Sequence, residues 1–242
     1  MIEGPDLVEA ALESGVEFEA LYVDPQRIDS AMADLLGRAE RAGVRCFALD
    51  GAVFERVADT KTPQGLLASV RLPTSSLDAL TDVGTLLVLC DVQDPGNAGT
   101  IIRSGDASGA SAVVFCGQSV DPFNPKTMRA SAGSVFHLPI IVTDFDALVT
   151  YCRHARIKLV ASLARGGVSP RDLDLASASA IVVGNEATGL SPATIKAVDL
   201  MVTIPMAGSA ESLNAGVAGS LLAFEAMYQR QDAADRAPRS SL

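Results

Sequence analysis

The chain has 242 residues, a formal net charge of −10 and 48% hydrophobic residues, enough to bury an ordinary core in one large domain or two small ones. That charge excludes a whole-surface attraction to nucleic acid or anionic membrane, so any RNA contact has to be a local patch. The sequence has no apolar run of the roughly 18 to 20 residues a membrane span needs. Its first residues lack the basic start of a signal peptide, so a cytoplasmic protein with no membrane partner is expected.

Taken in order, the pattern predicts a helix over 7–12, a strand over 20–23, a helix over 29–41 stopped by Gly43, and a strand over 44–49. A helix over 51–57 and a strand over 65–70, after the turn Thr62-Pro63-Gln64-Gly65, complete a small α/β domain over 1–72. Residues 73–84 read as a linker, although Ser75 or Ser76 could equally cap a helix.

The second half opens with an apolar run over 85–91, the pattern of a parallel strand buried on both faces. A turn over 93–99 leads into a helix over 100–108, and strands follow over 112–115, 138–142, 158–163, 180–183 and 200–204, with a helix over 145–155. This alternation predicts a mostly parallel sheet with helices on both faces over 85–230, and a frayed tail over 231–242. In the last helix Leu213, Val217, Leu221, Phe224 and Tyr228 recur at helical spacing and are expected to face the core. Gly216 and Gly219 each cost about 1 kcal/mol relative to Ala in a helix, which implies close approach of a backbone or a second subunit. Ahead of this helix Gly208, Ser209, Glu211, Ser212 and Asn214 form an elbow that can cap the helix or hold a polar ligand.

Cys46, Cys90, Cys116 and Cys152 are far apart and read as buried free thiols, while His137 and His154 sit in no ligand spacing, so no metal is expected. Arginines at 103, 129, 153, 156, 165 and 171 could supply a local RNA patch or be ordinary surface charge. Three polar, Gly-containing turns follow strands and so belong at the carboxyl edge of the sheet, where open α/β folds bind ligands. None has the G-x-G-x-x-G or P-loop spacing.

Those turns, Asp94-Pro95-Gly96-Asn97-Ala98-Gly99 with Arg103, Gly184-Asn185-Glu186-Ala187-Thr188-Gly189, and Ile204-Pro205-Met206-Ala207-Gly208-Ser209-Ala210-Glu211-Ser212-Leu213-Asn214, together resemble the three motifs of the SpoU/TrmH family of RNA ribose 2′-O-methyltransferases, in the SPOUT superfamily. The stretch Asn124-Pro125-Lys126-Thr127-Met128-Arg129-Ala130-Ser131-Ala132-Gly133 is also similar to the family's wording. The likeness is close over 86–224 and looser over 3–72, which resembles the substrate-binding domain many members place first.

The resemblance implies a C-terminal trefoil knot, a homodimer whose site is built across two subunits, and S-adenosylmethionine as cofactor. Leu163, Gly184, Asn185, Glu186, Gly189, Ile204, Met206, Ser212, Leu213 and Asn214 would hold that cofactor, with Gly184 and Gly189 permitting close backbone approach. Arg103 would be the principal catalytic residue, with Asn97, Glu186, Ser212 and Asn214 completing the constellation. A guanidinium with pKa above about 12 is poorly suited to be a base; its donors suit a developing alkoxide and the adjacent phosphate. Arg129 would grip phosphate or, equally, form a surface ion pair.

A recognition domain ahead of the catalytic one favours structured ribosomal RNA as partner. The alternatives are transfer RNA, or a catalytically silent RNA-binding or assembly protein on the same fold. Gly105 and Ser108 depart from the small residue and aromatic usual in the family, which predicts a less rigid first-motif helix, and Ala215-Gly216 after Asn214 predicts a tighter dimer seam. Two-domain members usually carry a basic stretch upstream; this sequence opens at Glu3-Gly4 without one, so weak independent RNA affinity is expected.

Overall fold

A computed structural model describes residues 1–236. The chain forms two compact units, Met1–Pro73 with Ala132–His137, and Thr74–Ser131 with the remainder from Leu138. The segment 132–137, expected within the second domain, thus clusters with the first.

In the first unit, β1 (Ile2–Glu3), α1 (Pro5–Glu13), β2 (Phe18–Val23), α2 (Ser30–Arg41), β3 (Cys46–Ala48), α3 (Gly51–Val57) and β4 (Leu66–Val70) follow in order. The sheet runs β1-β4-β2-β3, with β4 antiparallel to both β1 and β2, and β3 parallel to β2. Strand β1 was not anticipated, because two residues show no periodicity. Helices α2 and α3 start where Asp side chains take up orphan amides: Asp29 accepts from Met32 N at 2.8 Å and Asp50 from Ala52 N at 3.0 Å.

The second unit contains β5 (Thr85–Cys90), α4 (Pro95–Ala107), β6 (Ala112–Cys116), α5 (Pro125–Ser131), β7 (Ile140–Val142), α6 (Phe145–Ala155), β8 (Lys158–Ser162), β9 (Ser179–Val183), α7 (Pro192–Ala197), β10 (Leu200–Val202) and α8 (Ala215–Arg236). Its six strands are all parallel in the order β10-β8-β9-β5-β6-β7. Every residue of β5, β6 and β9 is buried, as a sheet covered on both faces requires. Leu86, Val88, Val114 and Val182 pack with Leu148, Val149 and Cys152 of α6. On the opposite face Gly105 of α4 fits against Leu87 and Val113, and Gly219 of α8 against Val183.

Helix α4 begins at Pro95, five residues before the expected start, so the supposed turn is its first turn. Asp94 caps it, accepting from Asn97 N at 2.8 Å, and Pro95 occupies a position that needs no amide donor. Gly105, expected to loosen this helix, is buried, and a Cβ there would lie 3.1 Å from Leu87 Cδ1; it is a packing position. Residues 231–236, expected to fray, are the last turns of α8; residues 237–242, the rest of the expected tail, lie outside the described chain.

One further expectation about α8 is corrected and another is met. Leu213 is 37% exposed, Val217 45%, Leu221 48% and Tyr228 57%, so that stripe does not face the core. The buried face is the small one, with Gly216, Gly219, Leu222, Ala223 and Ala226. A Cβ at Gly216 would lie 3.2 Å from Asn97 Cα, and one at Gly219 3.0 Å from Ile101 Cγ1, so these glycines admit the close approach of α4, the backbone neighbour expected.

Candidate active site

Parallel strands put their carboxyl ends on one edge, and the loops after β8, β9 and β10 meet there around a cavity of about 320 Å³. Leu163, Gly184, Asn185, Glu186, Gly189, Ile204, Met206, Ser212 and Leu213 line it. Asn214 does not; it caps α8, its Oδ1 accepting from Val217 N at 3.1 Å. The lining also takes in Ser162, Ala164, Thr188, Ala215 and Ala218, none of them among the residues expected to hold the cofactor. Ser162 ends β8, and Ala218 follows Ala215 by one helical turn, so strand-end position and helical spacing were the signals available.

The loop after β9 is held by its own chemistry. Asn185 exchanges main-chain hydrogen bonds with Gly189 at 3.2 and 2.9 Å, donates its side-chain amide to Asp91 O at 2.9 Å, and accepts from Ala187 N at 2.9 Å. A Cβ at Gly184 would lie 2.6 Å from Gly189 C and Leu190 N, so the close approach that demands glycine there is the loop's own return.

At the lip the three motif segments are joined in one polar chain. Glu186 Oε1 accepts from Asn97 Nδ2 at 2.9 Å and from Asp94 N at 3.1 Å, and its Oε2 accepts from Gln93 N at 3.2 Å. Asn97 in turn accepts at Oδ1 from Asn214 Nδ2 at 2.7 Å. Burial pushes the Glu186 carboxyl up, but hydrogen bonds from the Asn97 side chain and from backbone amides, its own included, outweigh it and leave the group below its ordinary pKa of 4.5. The site therefore holds a carboxylate, not a carboxylic acid, at neutral pH. Helices α4 and α8 are further tied by Ser104 and Ser220, whose hydroxyl oxygens are 2.6 Å apart.

Arg103 is exposed on α4 and is not part of the cavity lining. Six residues along an α-helix is about 120° around and about 9 Å along, so it shares no face with Asn97. Arg129, half-buried on α5, is already engaged rather than free. Cys90, Cys116 and Cys152 are buried free thiols, Cys116 and Cys152 pushed up to about 12 mainly by burial; Cys46 is half-buried on β3. Among the described residues no helix is long and apolar enough to cross a membrane.

Residues 84–224 match the SpoU rRNA Methylase family, and residues 1–76 match the RNA 2′-O ribose methyltransferase substrate binding family. The chain is 35% identical over 225 residues to the 23S rRNA (guanosine(2553)-2′-O)-methyltransferase RlmP of Bacillus subtilis, covering 93% of this chain and 86% of that protein. It is also 35% identical to the 23S rRNA (uridine(2479)-2′-O)-methyltransferase of Streptomyces viridochromogenes, covering 95% and 83%. The crystal structure of the SpoU methyltransferase AviRb from Streptomyces viridochromogenes, in complex with AdoMet, superposes with a TM-score of 0.85 at 31% identity, covering 95% of this chain and 89% of that one.

Proposed function

The chain belongs to the SpoU rRNA methylase family, and from that premise we infer that it methylates a ribose 2′-hydroxyl of ribosomal RNA with S-adenosylmethionine as donor. The observation that carries this reading is the Glu186–Asn97–Asn214 chain, which links all three motif segments at the lip of the cavity. Relatives named for 23S rRNA favour ribosomal over transfer RNA, and such a substrate supports a cytoplasmic protein.

The cavity suits the cofactor in size, since pockets for ligands of this kind begin at about 300 Å³. It suits it in chemistry too: Leu163, Ile204, Met206 and Leu213 offer apolar walls, and the Ser212 and Thr188 hydroxyls and the loop backbone offer polar contacts. We assign Leu163, Gly184, Asn185, Glu186, Gly189, Ile204, Met206, Ser212 and Leu213 to holding it. When bound, the cofactor supplies a methyl group on a sulfonium, an electrophile that an aligned hydroxyl can attack.

The protein's own part is alignment and charge. Asn97 has its Oδ1 and one Nδ2 hydrogen engaged, so it positions the loop and α8 rather than moving a proton. Ser212 sits on the lining, and Asn214 fixes the start of α8 beside it. Arg103 supplies donors to the negative charge that develops on the 2′-oxygen as it attacks the methyl group and releases its proton to solvent water, and to the neighbouring phosphate. Because Arg103 lies off the lining of its own chain's cavity, it is assigned to the site of a second copy in a homodimer. The exposed stripe of Val217, Leu221 and Tyr228, with Met201 at 42% exposure, supports that assembly, since exposed apolar surface of this kind marks subunit contacts. The expected trefoil knot belongs to the same reading: β10 lies at the sheet edge, while α8 packs on β9 and β5 near its centre. A crystal structure whose segment 203–214 bypasses the loop 184–189 would remove the knot.

The test of function is methyl transfer to 23S rRNA with labelled cofactor, followed by mapping of the 2′-O-methyl. The expected result is one resistant ribose. Cofactor binding without transfer to any ribosomal RNA would leave an RNA-binding protein on the same fold.

A further inference from the structure

On the first unit, two aromatic rings lie on neighbouring strands where the sheet is open to solvent. Tyr22 of β2 and Phe47 of β3 are register partners, their ring centres are 5.9 Å apart and their planes differ by 25°. Phe47 is 45% exposed. The Arg45 guanidinium carbon is 6.0 Å from the Phe47 ring centre, and that side chain donates to Glu19 O. Strand β3 is the edge of its sheet, so nothing in the sheet continues past Phe47. Together with Phe18, Glu19 and Ser69 these side chains line a surface hollow of about 620 Å³.

We propose that Tyr22, Phe47 and Arg45 form a stacking platform for one unpaired guanine of the RNA substrate, with the Glu19 carboxylate reading the base's donor edge. This rests on the methyltransferase reading for the identity of the RNA, but on this face alone for the contact. Flat aromatic side chains exposed on adjacent strands, beside a guanidinium, match the face of a nucleobase, and single-stranded RNA is held largely by such stacking. The charges at the rim fit the same occupant. Glu17 is paired with Arg71 at 3.0 Å, which leaves Arg45 and Glu19 as the two charges beside the rings. Glu19 Oε2 accepts from Ser69 Oγ at 2.6 Å, and Oε1 has no hydrogen-bond donor among the described residues. An ionised carboxylate only accepts. Guanine presents an imino and an amino donor side by side on its pairing edge, whereas uracil presents one donor between two acceptors that would face the carboxylate. A base seated here also leaves the Arg45 guanidinium beside the backbone phosphate, which an acidic chain otherwise repels.

The experiment measures binding of two fluorescent single-stranded heptamers, UUUGUUU and UUUUUUU, to the full chain by anisotropy at low salt. Wild type is expected to prefer the guanine heptamer. Phe47→Ala should weaken that binding about fivefold or more, the loss of one stacked base, Phe47→Trp should retain it, and Glu19→Gln should abolish the preference between the heptamers. If Phe47→Ala does not fold, Phe47→Leu, which keeps apolar cover without a ring face, decides in its place. Equal binding of the two heptamers by wild type, no binding of either, or unchanged affinity in the Phe47 variant each overturns the platform. Methyl transfer to 23S rRNA is measured in parallel: transfer alongside any of those outcomes sinks the platform alone. The platform signature with no transfer supports the platform and sinks the enzymatic reading alone.

Discussion

Asn214 donates its side-chain amide to the Asn97 side-chain oxygen at 2.7 Å, although 117 positions separate them in the chain. Asn214 caps α8 and Asn97 lies in the first turn of α4, so this one bond sets the starts of two helices against each other. Glu186 completes the chain from the far side of Asn97. Removing any member leaves its neighbours with polar atoms that must find water or stay unsatisfied.

The first prediction concerns Glu186 and pH. Its folded pKa lies below the ordinary 4.5, so its contribution to stability is present above that value and is lost as pH falls through the folded pKa. In Glu186→Gln one carboxylate oxygen becomes an amide N–H₂, which faces either the Gln93 amide or, flipped, the Asp94 amide and Asn97 Nδ2, placing donor against donor in both orientations. Urea midpoints at pH 7 should therefore be lower for the variant, and the gap should close as the pH drops below 4.5. A gap that stays constant through acidification would show that the charge is not what the loop uses.

Parts of this site were legible in the residues and parts were not, for physical reasons. The run Thr85–Cys90 is apolar at every position but the first, a pattern that leaves little choice but a strand buried on both faces. The Asp94-Pro95 step reads as a turn, but an N-cap followed by proline is equally a helix start. Helices α5 and α7, at seven and six residues, are too short to show amphipathic periodicity and went unread. On α8, spacing located the apolar stripe but could not tell a face against the core from a face left open, because both repeat at three and four residues. The glycines on the other face carried the missing information: only a backbone-close neighbour, here α4, makes two glycines in one helix tolerable.

Close packing between helices makes the second prediction. A Cβ at Gly99 would lie 2.4 Å from Ala130 Cβ and 2.8 Å from Ala130 C, and a backbone atom cannot swing aside. At Gly219 the nearest atom is Ile101 Cγ1 at 3.0 Å, on a side chain that can shift. Alanine gains about 1 kcal/mol of helix propensity at either site. At Gly99 the overlap should win, lowering stability by about 1–3 kcal/mol or more, whereas Gly219→Ala should come out near neutral. Equal urea midpoints for the two variants would mean that the α4–α5 contact yields more easily than its geometry implies.

Arg230 supports a third. Its Nη1 is buried beside Gly84 with no hydrogen-bond partner among the described residues, and burial lowers its pKa. An unpaired charge of this kind contributes cost rather than stability. Arg230→Met, which keeps the stem and removes the charge, is expected to raise the thermal midpoint or leave it unchanged. A clear fall would show that the guanidinium has a partner, which a subunit contact could provide.

The last prediction joins Arg103 to the exposed stripe on α8. Arg103→Ala should keep the thermal shift produced by S-adenosylmethionine, about 2.7 kcal/mol at 100 times the dissociation constant, because Arg103 does not line the cavity. It should lower methyl transfer by about two orders of magnitude, the loss expected for one electrostatic donor. Leu221→Asp places a charge in the middle of the stripe, at a residue 48% exposed, so the monomer should fold while light scattering reports half the mass. If Arg103 serves the neighbouring copy's cavity, this variant loses transfer as well, although both the arginine and the cavity are intact in every chain. Mixing separates the cases further. Arg103→Ala chains and chains whose cavity is blocked by Leu213→Glu are each strongly impaired alone, but exchanged into mixed dimers they pair an intact cavity with an intact arginine. Recovered transfer on mixing is the expected outcome. A monomeric Leu221→Asp protein that still transfers methyl groups at the wild-type rate would return Arg103 to its own chain's site or remove it from the chemistry.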